Sequence, residues 1–278
     1  MGNLLDKSQD SPEVVHVAVL AGGISRIPLF KGDQTSCKAL LTLGGKPCIQ
    51  YVLDALEVQE VGRTCLVGPE KELRKILRVP SKYEYVPSGR GFGESIFRSL
   101  DHFRDADRVL FVTADLPLLT RDTVADFLAA SLPQWRHERQ IFLSGVPASC
   151  FTGPYRHAPK PCSHFRDVSV CHGNLALLSP KVLESGSLLS RARLDNIYRH
   201  RKRRFLSSLS FGWPFVLGYA LGFGVLRPFK LDRVLQVASR YFRLELIPVL
   251  LEHPGAALDI DEPQDYAFAA DLLERRRG

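Results

Sequence analysis

Residues 14–23 read VVHVAVLAGG, a continuous apolar, β-branched run that ends in two glycines. A run with no polar alternation predicts a strand buried on both faces, as in a parallel sheet, and Gly22-Gly23 predicts a tight turn at its carboxyl end. The pattern repeats downstream. Residues 47–56 (PCIQYVLDAL) have helical spacing and open on Pro, which suits a first helical turn. Residues 64–67 predict a short strand, 70–77 a charged helix, 83–86 a strand, and 95–103 a helix. Residues 108–113 (RVLFVT) predict a second buried strand, which ends at Ala114-Asp115-Leu116-Pro117. Residues 120–130 predict a helix with Thr120 as N-cap. Strands alternating with helices imply an α/β fold: a three-layer, mostly parallel, Rossmann-like sheet. Such sheets bind ligands at the carboxyl ends of their strands, where Gly22-Gly23 and Asp115 both fall.

The second half is less regular. Residues 144–174 are rich in Pro, Gly, His and Cys and read as an excursion from the sheet. Helical spacing returns at 182–189, 194–198 and 231–240. Residues 244–251 form an apolar strand, 258–263 (LDIDEP) a strand end and turn, and 264–273 a closing helix. We read residues 1–278 as one domain. Residues 1–13 (MGNLLDKSQDSPE) are its flexible N-terminus, and residues 144–230 are an acceptor-side insertion.

The chain has 278 residues, 37 Lys and Arg against 30 Asp and Glu, and a formal net charge of +7. The excess lies in two clusters, Arg199 with Arg201-Lys202-Arg203-Arg204, and Arg275-Arg276-Arg277. Without these eight residues, 29 positive charges face 30 negative ones. That argues against a broad basic face for nucleic acid. Hydrophobic residues are 45% and charged residues 24%, which excludes a disordered, collagenous or coiled-coil chain. Residues 205–226 carry no charge and resemble a membrane span in length. Their glycines, serines and the Gly212-Trp213-Pro214 break read better as two short buried helices or a surface-docking element. The basic cluster beside them suits either a phosphorylated substrate or peripheral contact with a membrane surface, and the sequence leaves both open. The six cysteines form no CxxC pair, and the N-terminus lacks a signal-peptide pattern. Free thiols in a cytoplasmic protein are therefore expected. Cys162, His164, Cys171, His172 and His157 have none of the usual zinc spacings, and read as ordinary loop residues.

Taken together, Leu20-Ala21-Gly22-Gly23-Ile24-Ser25, Lys38-Ala39-Leu40-Leu41-Thr42-Leu43-Gly44-Gly45-Lys46-Pro47, Asp115 in TADLPLLT, and Asp259 and Asp261 in LDIDEPQDY resemble the MobA-like NTP-transferases of the GT-A-like nucleotidyltransferase fold. That group includes molybdenum-cofactor guanylyl- and cytidylyltransferases and the sugar-phosphate and isoprenoid-precursor nucleotidyltransferases. The resemblance implies transfer of NMP from an NTP to a phosphorylated small-molecule acceptor, with release of pyrophosphate. It implies Lys38, Asp115 and Asp261 as catalytic residues. Nucleotide would be bound by Leu20, Ala21, Gly22, Gly23, Ser25, Arg26, Lys38 and Asp115, and by Ser88, Gly89 and Gly93 along the base and ribose. Gly173 and Asn174 resemble the turn that faces the acceptor, with Arg201 and Lys202 beside it.

The chemistry fits these residue types. Glycines let backbone N–H groups approach phosphates because no Cβ stands in the way. Mg²⁺ is a hard cation held by carboxylates and phosphates, a role for Asp115 and Asp261 as metal ligands. Asp259 shares a face with Asp261 in an extended segment, so either could reach the metal, and the resemblance favours Asp261. The family pattern LAGGxSxR closes on a basic residue, but this chain has Ile27 there, leaving Arg26 or Lys31 to take the role. Two rival readings are a GT-A glycosyltransferase using a nucleotide sugar, which needs a mid-chain DxD, and a non-catalytic membrane-docking protein.

Overall fold

A computed structural model describes residues 14–24, 37–185, 190, 191, 193, 194 and 229–276. The expectations for residues 1–13, Ser25, Arg26, Lys31, Arg201, Lys202 and the 205–226 run fall outside these residues.

The sheet is built from β1 (Val15–Leu20), β4 (Val61–Val67), β5 (Glu84–Val86), β6 (Val109–Thr113), β7 (Gln140–Pro147), β8 (Ser163–His164), β9 (Ser169–Leu178) and β10 (Glu245–Leu250), in the order β10-β7-β9-β6-β1-β4-β5 with β8 beside β9. A separate antiparallel pair, β2 (Thr42–Leu43) and β3 (Lys46–Pro47), precedes the first helix. β1 is parallel to β4 and β6, β4 to β5, and β7 to β10. β9 alone runs against its neighbours β6 and β7. The other strands therefore bring their carboxyl ends to one edge, and β9 brings its beginning to that same edge.

Helices cover both faces, because side chains on each strand alternate between them. Val15, Val17 and Val19 of β1 join a core cluster with Ile49 and Val52 of α1 (Cys48–Ala55), Leu73 of α2 (Glu70–Ile76) and Phe127 of α4 (Arg121–Ser131). Ala18 of β1 faces the other way, into a cluster with Leu100 of α3 (Phe92–His102) and Phe242 of α5 (Leu231–Phe242). A third cluster packs Leu41, Leu43, Leu118, Leu258 and Ile260 against Ala269 and Leu272 of α6 (Pro263–Arg275). The α/β reading thus holds, with a mostly parallel sheet between helical layers. The expected Thr120 cap is present, its side chain accepting from the Thr123 amide.

Three expectations are corrected. Residues 144–174 are not all an excursion: β7 runs to Pro147, and Ser169–Leu178 is a central strand. Only the stretch between them leaves the sheet, carrying the short β8 on its way back. Residues 258–263 are not a strand end, because the chain from Leu251 to α6 is a loop holding a 3-10 turn at Pro254–Ala257. Two of the six thiols are not free, since Cys162 and Cys171 form a disulfide between residues flanking the Ser163↔Val170 pair of β8 and β9. Cys37, Cys48, Cys65 and Cys150 form no disulfide. No helix among the described residues is long and apolar enough to cross a membrane.

Candidate active site

The edge described above gathers most of the described residues singled out from the sequence. After β1, the Ala21 amide donates to the Val67 carbonyl at the end of β4, which fixes the start of the Gly22-Gly23 turn. A Cβ on Gly22 would lie 2.9 Å from Ser88 Cβ, so only glycine lets this turn approach the loop after β5 so closely. That second loop folds onto the start of α3: the Gly89 amide donates to Ser95 Oγ at 3.0 Å, and the Arg90 amide to Glu94 Oε2 at 2.9 Å. A Cβ on Gly93 would fall 2.4 Å from the carbonyl oxygen of Arg191, so the backbones approach closely there as well. Ile24 and Cys37 form an antiparallel β-bridge. The Lys38 amide then donates to the Gly23 carbonyl at 3.0 Å, placing Lys38 beside the turn.

Asp115 follows β6. Its carbonyl accepts from the Ile260 amide at 3.0 Å, which joins the end of β6 to the loop before α6. The Ile260 side chain is fully buried in the third core cluster. Asp259 and Asp261, on either side of it, bring their carboxylates to Asp115, and one oxygen from each of the three lies within 4.8 Å of the others. Asp265, at the start of α6, holds the turn by accepting from the amides of Asp261 (2.9 Å) and Glu262 (2.8 Å), completing a capping box.

Lys38 donates to Asp115 Oδ2 at 3.2 Å and also to Asp261 Oδ1, joining residues from opposite ends of the chain. Its side chain is 8% exposed. Burial opposes its charge, but Asp115 and Asp261 more than offset this and hold its pKa above the ordinary lysine value. Burial pushes the Asp115 carboxyl up. Lys38 pulls against this, and the neighbouring Asp259 and Asp261 add to the rise. Three acids so close together repel one another unless cations sit among them.

The second half supplies another cation. Lys160, on the excursion between β7 and β8, donates to Asp259 Oδ1 at 2.6 Å and to the Asp259 carbonyl at 2.7 Å. Asn174, on β9, donates at 3.4 Å to both Asp259 Oδ1 and the Ala256 carbonyl. A Cβ on Gly173 would fall 2.1 Å from Ser144 Oγ, the hydroxyl that accepts from the Leu175 amide and donates to its carbonyl, so glycine is required where β9 meets β7. Lys160 is the site residue that sequence reasoning misses. It lies in no motif, and its partner is 99 residues away. Among the described residues, the three aspartates are the one group with metal-holding geometry. Of the Cys and His residues weighed for zinc, Cys162 and Cys171 instead form the disulfide, His172 pairs with the Ser163 hydroxyl and His164 with the Ser169 hydroxyl.

Residues 17–159 match the model of the MobA-like NTP transferase domain. The bifunctional protein GlmU of Thermoanaerobacter pseudethanolicus is 32% identical over 114 residues, which is 40% of this chain and 24% of GlmU. This chain therefore matches only about a quarter of the length of that curated relative. A solved hypothetical transferase from Thermus thermophilus superposes with a TM-score of 0.71 at 24% identity, covering 91% of this chain and 99% of its own. The 4-diphosphocytidyl-2C-methyl-D-erythritol synthase of Anaerococcus prevotii superposes with a TM-score of 0.54 at 13% identity, covering 95% and 97%. The two structures share the fold, and the domain match spans half of the chain, including the glycine turn, Lys38 and Asp115. The chain belongs to the MobA-like NTP transferase family.

Proposed function

We propose that the chain transfers a nucleoside monophosphate from an NTP to a phosphorylated small-molecule acceptor. The observation that carries this reading is Lys38 held between Asp115 and Asp261 beside the Gly22-Gly23 turn. An acceptor phosphate oxygen forms a bond to the α-phosphorus, the bond to the β-phosphate oxygen breaks, and pyrophosphate leaves. A phosphate acceptor is already anionic at neutral pH, so the work left to the protein is positioning and charge neutralisation.

The amides of the Gly22-Gly23 turn cradle the leaving phosphates, and Lys38 neutralises them. The Ser88-Gly89 loop, in contact with Gly22, lies where it can line the base and ribose. Gly173 and Asn174 face the acceptor from the other half of the sheet. Arg201 and Lys202 are assigned to its phosphate on charge and position in the sequence alone, and Ser25 and Arg26 to the nucleotide on the same grounds. The three carboxylates offer the hard oxygen donors that Mg²⁺ requires, and Asp115 and Asp261 are the pair that would hold it. When bound, the cation supplies charge neutralisation on the triphosphate. The glycosyltransferase reading loses ground, because β6 is followed by Ala114-Asp115-Leu116-Pro117 and not by DxD.

The test is pyrophosphate release from each of the four NTPs with Mg²⁺ and a panel of phosphorylated acceptors. Asp115→Ala and Asp261→Ala are each expected to lower turnover by at least about 100-fold while circular dichroism stays native. Unchanged turnover in either variant would contradict the assignment.

A further inference from the structure

We infer that Lys160 is a positioning residue that withholds Asp259 from the divalent cation and thereby sets the charge of the metal site. The inference rests on the nucleotidyltransferase reading above.

Among the described residues, Lys38 and Lys160 both reach the three carboxylates, and they are anchored differently. Lys38 bridges two side-chain carboxylates, Asp115 and Asp261. Lys160 grips a single residue twice, through Asp259 Oδ1 and through the Asp259 carbonyl. The carbonyl stays where the backbone puts it, so that hold does not depend on where the carboxylates turn. The Lys160 side chain is also 10% exposed, and Asn174 places a further donor on the same oxygen. The excursion that carries Lys160 is tied to β9 by Cys162–Cys171, two residues further on, and β9 carries Asn174.

A divalent cation entering the cluster must displace an ammonium, because like charges cannot share the space. Lys38 is the one free to leave, since on release it meets the triphosphate beside the Gly22-Gly23 turn. Lys160 would have to abandon a backbone acceptor with no substitute named by the site. The cation is therefore left with Asp115 and Asp261, two negative charges for a divalent ion, while Lys160 cancels Asp259. Without Lys160, Asp259 becomes a third unneutralised carboxylate within reach. Cation affinity rises with the number of charged ligands, and the added charge would repel the triphosphate.

The experiment is electron paramagnetic resonance of Mn²⁺ titrated into the nucleotide-free, full-length protein. Lys160→Met is expected to bind Mn²⁺ roughly tenfold more tightly than wild type. Lys160→Arg should restore the wild-type value, and Lys160→Met with Asp259→Asn should return close to it. The KM for NTP should rise in Lys160→Met and recover in the double variant. A lysine with only a structural role would leave Mn²⁺ binding unchanged or weaker, and Asp259→Asn would not reverse the effect. Tighter binding in Lys160→Met sustains the inference, and equal or weaker binding overturns it. If Lys160→Met does not fold, Asp259→Asn decides against Asp115→Asn and Asp261→Asn: a much smaller loss of Mn²⁺ binding than in those two variants supports the inference, and a loss as large as theirs overturns it. The titration uses no substrate, so loss of the charge effect in a protein that turns over NTP sinks only this inference. Absence of turnover with the charge effect intact sinks only the nucleotidyltransferase reading.

Discussion

The two halves of the sheet build the same site by different means. On the β1/β4/β5/β6 side, all but one of the functional groups follow closely on the end of a strand: Gly22 after β1, Ser88 after β5, Asp115 after β6, with Lys38 the exception, tied to the Gly23 carbonyl through its amide. On the β9/β10 side, the groups come from an excursion (Lys160), the early part of an antiparallel strand (Asn174) and a loop (Asp259, Asp261). The first half positions its groups by strand register. The second positions them by contacts across long sequence separations, 99 residues for Lys160 with Asp259 and 85 for Asn174 with Asp259. The strand-end side should therefore tolerate loosening of the other half, while the excursion side should depend on its tertiary ties.

The disulfide is the strongest way to break this contrast. It closes a short loop between Cys162 and Cys171, nine residues apart. Cys162→Ser with Cys171→Ser is expected to cost about 3 kcal/mol in chemical denaturation, by constraint of the unfolded chain. Nucleotide affinity should change little, because no strand-end group is touched. A large loss of NTP affinity would show that the two halves are not independent. Next in size, Lys38→Ala should weaken NTP binding by ~30-fold, about 2 kcal/mol, through loss of a charge-assisted contact, read by calorimetric titration. It also leaves Asp115 and Asp261 without their shared cation.

A smaller effect is expected at the contact between turns. Gly22→Val puts a side chain into Ser88 and should cost roughly 1–2 kcal/mol of stability, with NTP affinity falling in parallel. If stability fell while affinity held, the turn would not be part of the nucleotide site.

The smallest effect lies on the same half but away from the site edge. The hydrogen bond from Arg63 pulls the Glu84 carboxyl down to about 2, with burial opposing and His102 helping. The folded value lies below the unfolded one, so the pair stabilises the protein above the ordinary carboxylate range. That contribution fades as pH falls from about 4.3 toward 2. Glu84→Gln should cost under about 1 kcal/mol at neutral pH, since the pair is partly exposed, and wild type and variant should converge near pH 2. Activity should not change.

What was legible in the sequence follows the same division. β1 and β6 are uninterrupted β-branched runs, and α4 carries its cap in Thr120, so local chemistry marks them. β9 contains His172, Gly173 and Asn174 and alternates poorly, because the beginning of the strand belongs to the site and its end to the core. Read locally, it resembles a loop. Asp259 and Asp261 were visible as acids on one face, but their approach to Asp115 depends on the Ile260 amide meeting the Asp115 carbonyl. Lys160 has no local signature, since its meaning lies wholly in the aspartate it reaches.

The proposed transfer requires these strand ends to bind an NTP together with a divalent cation. The most direct measurement is thermal unfolding of the full chain with each NTP, with and without Mg²⁺, for wild type and Asp115→Ala. A ligand at 100 times its Kd stabilises by about 2.7 kcal/mol, which for a chain of this size is several degrees in Tm. The expected result is a rise of that order for at least one NTP, present only with Mg²⁺ and lost in Asp115→Ala. No rise with any of the four NTPs, or a rise that survives both removal of Mg²⁺ and Asp115→Ala, would contradict the account.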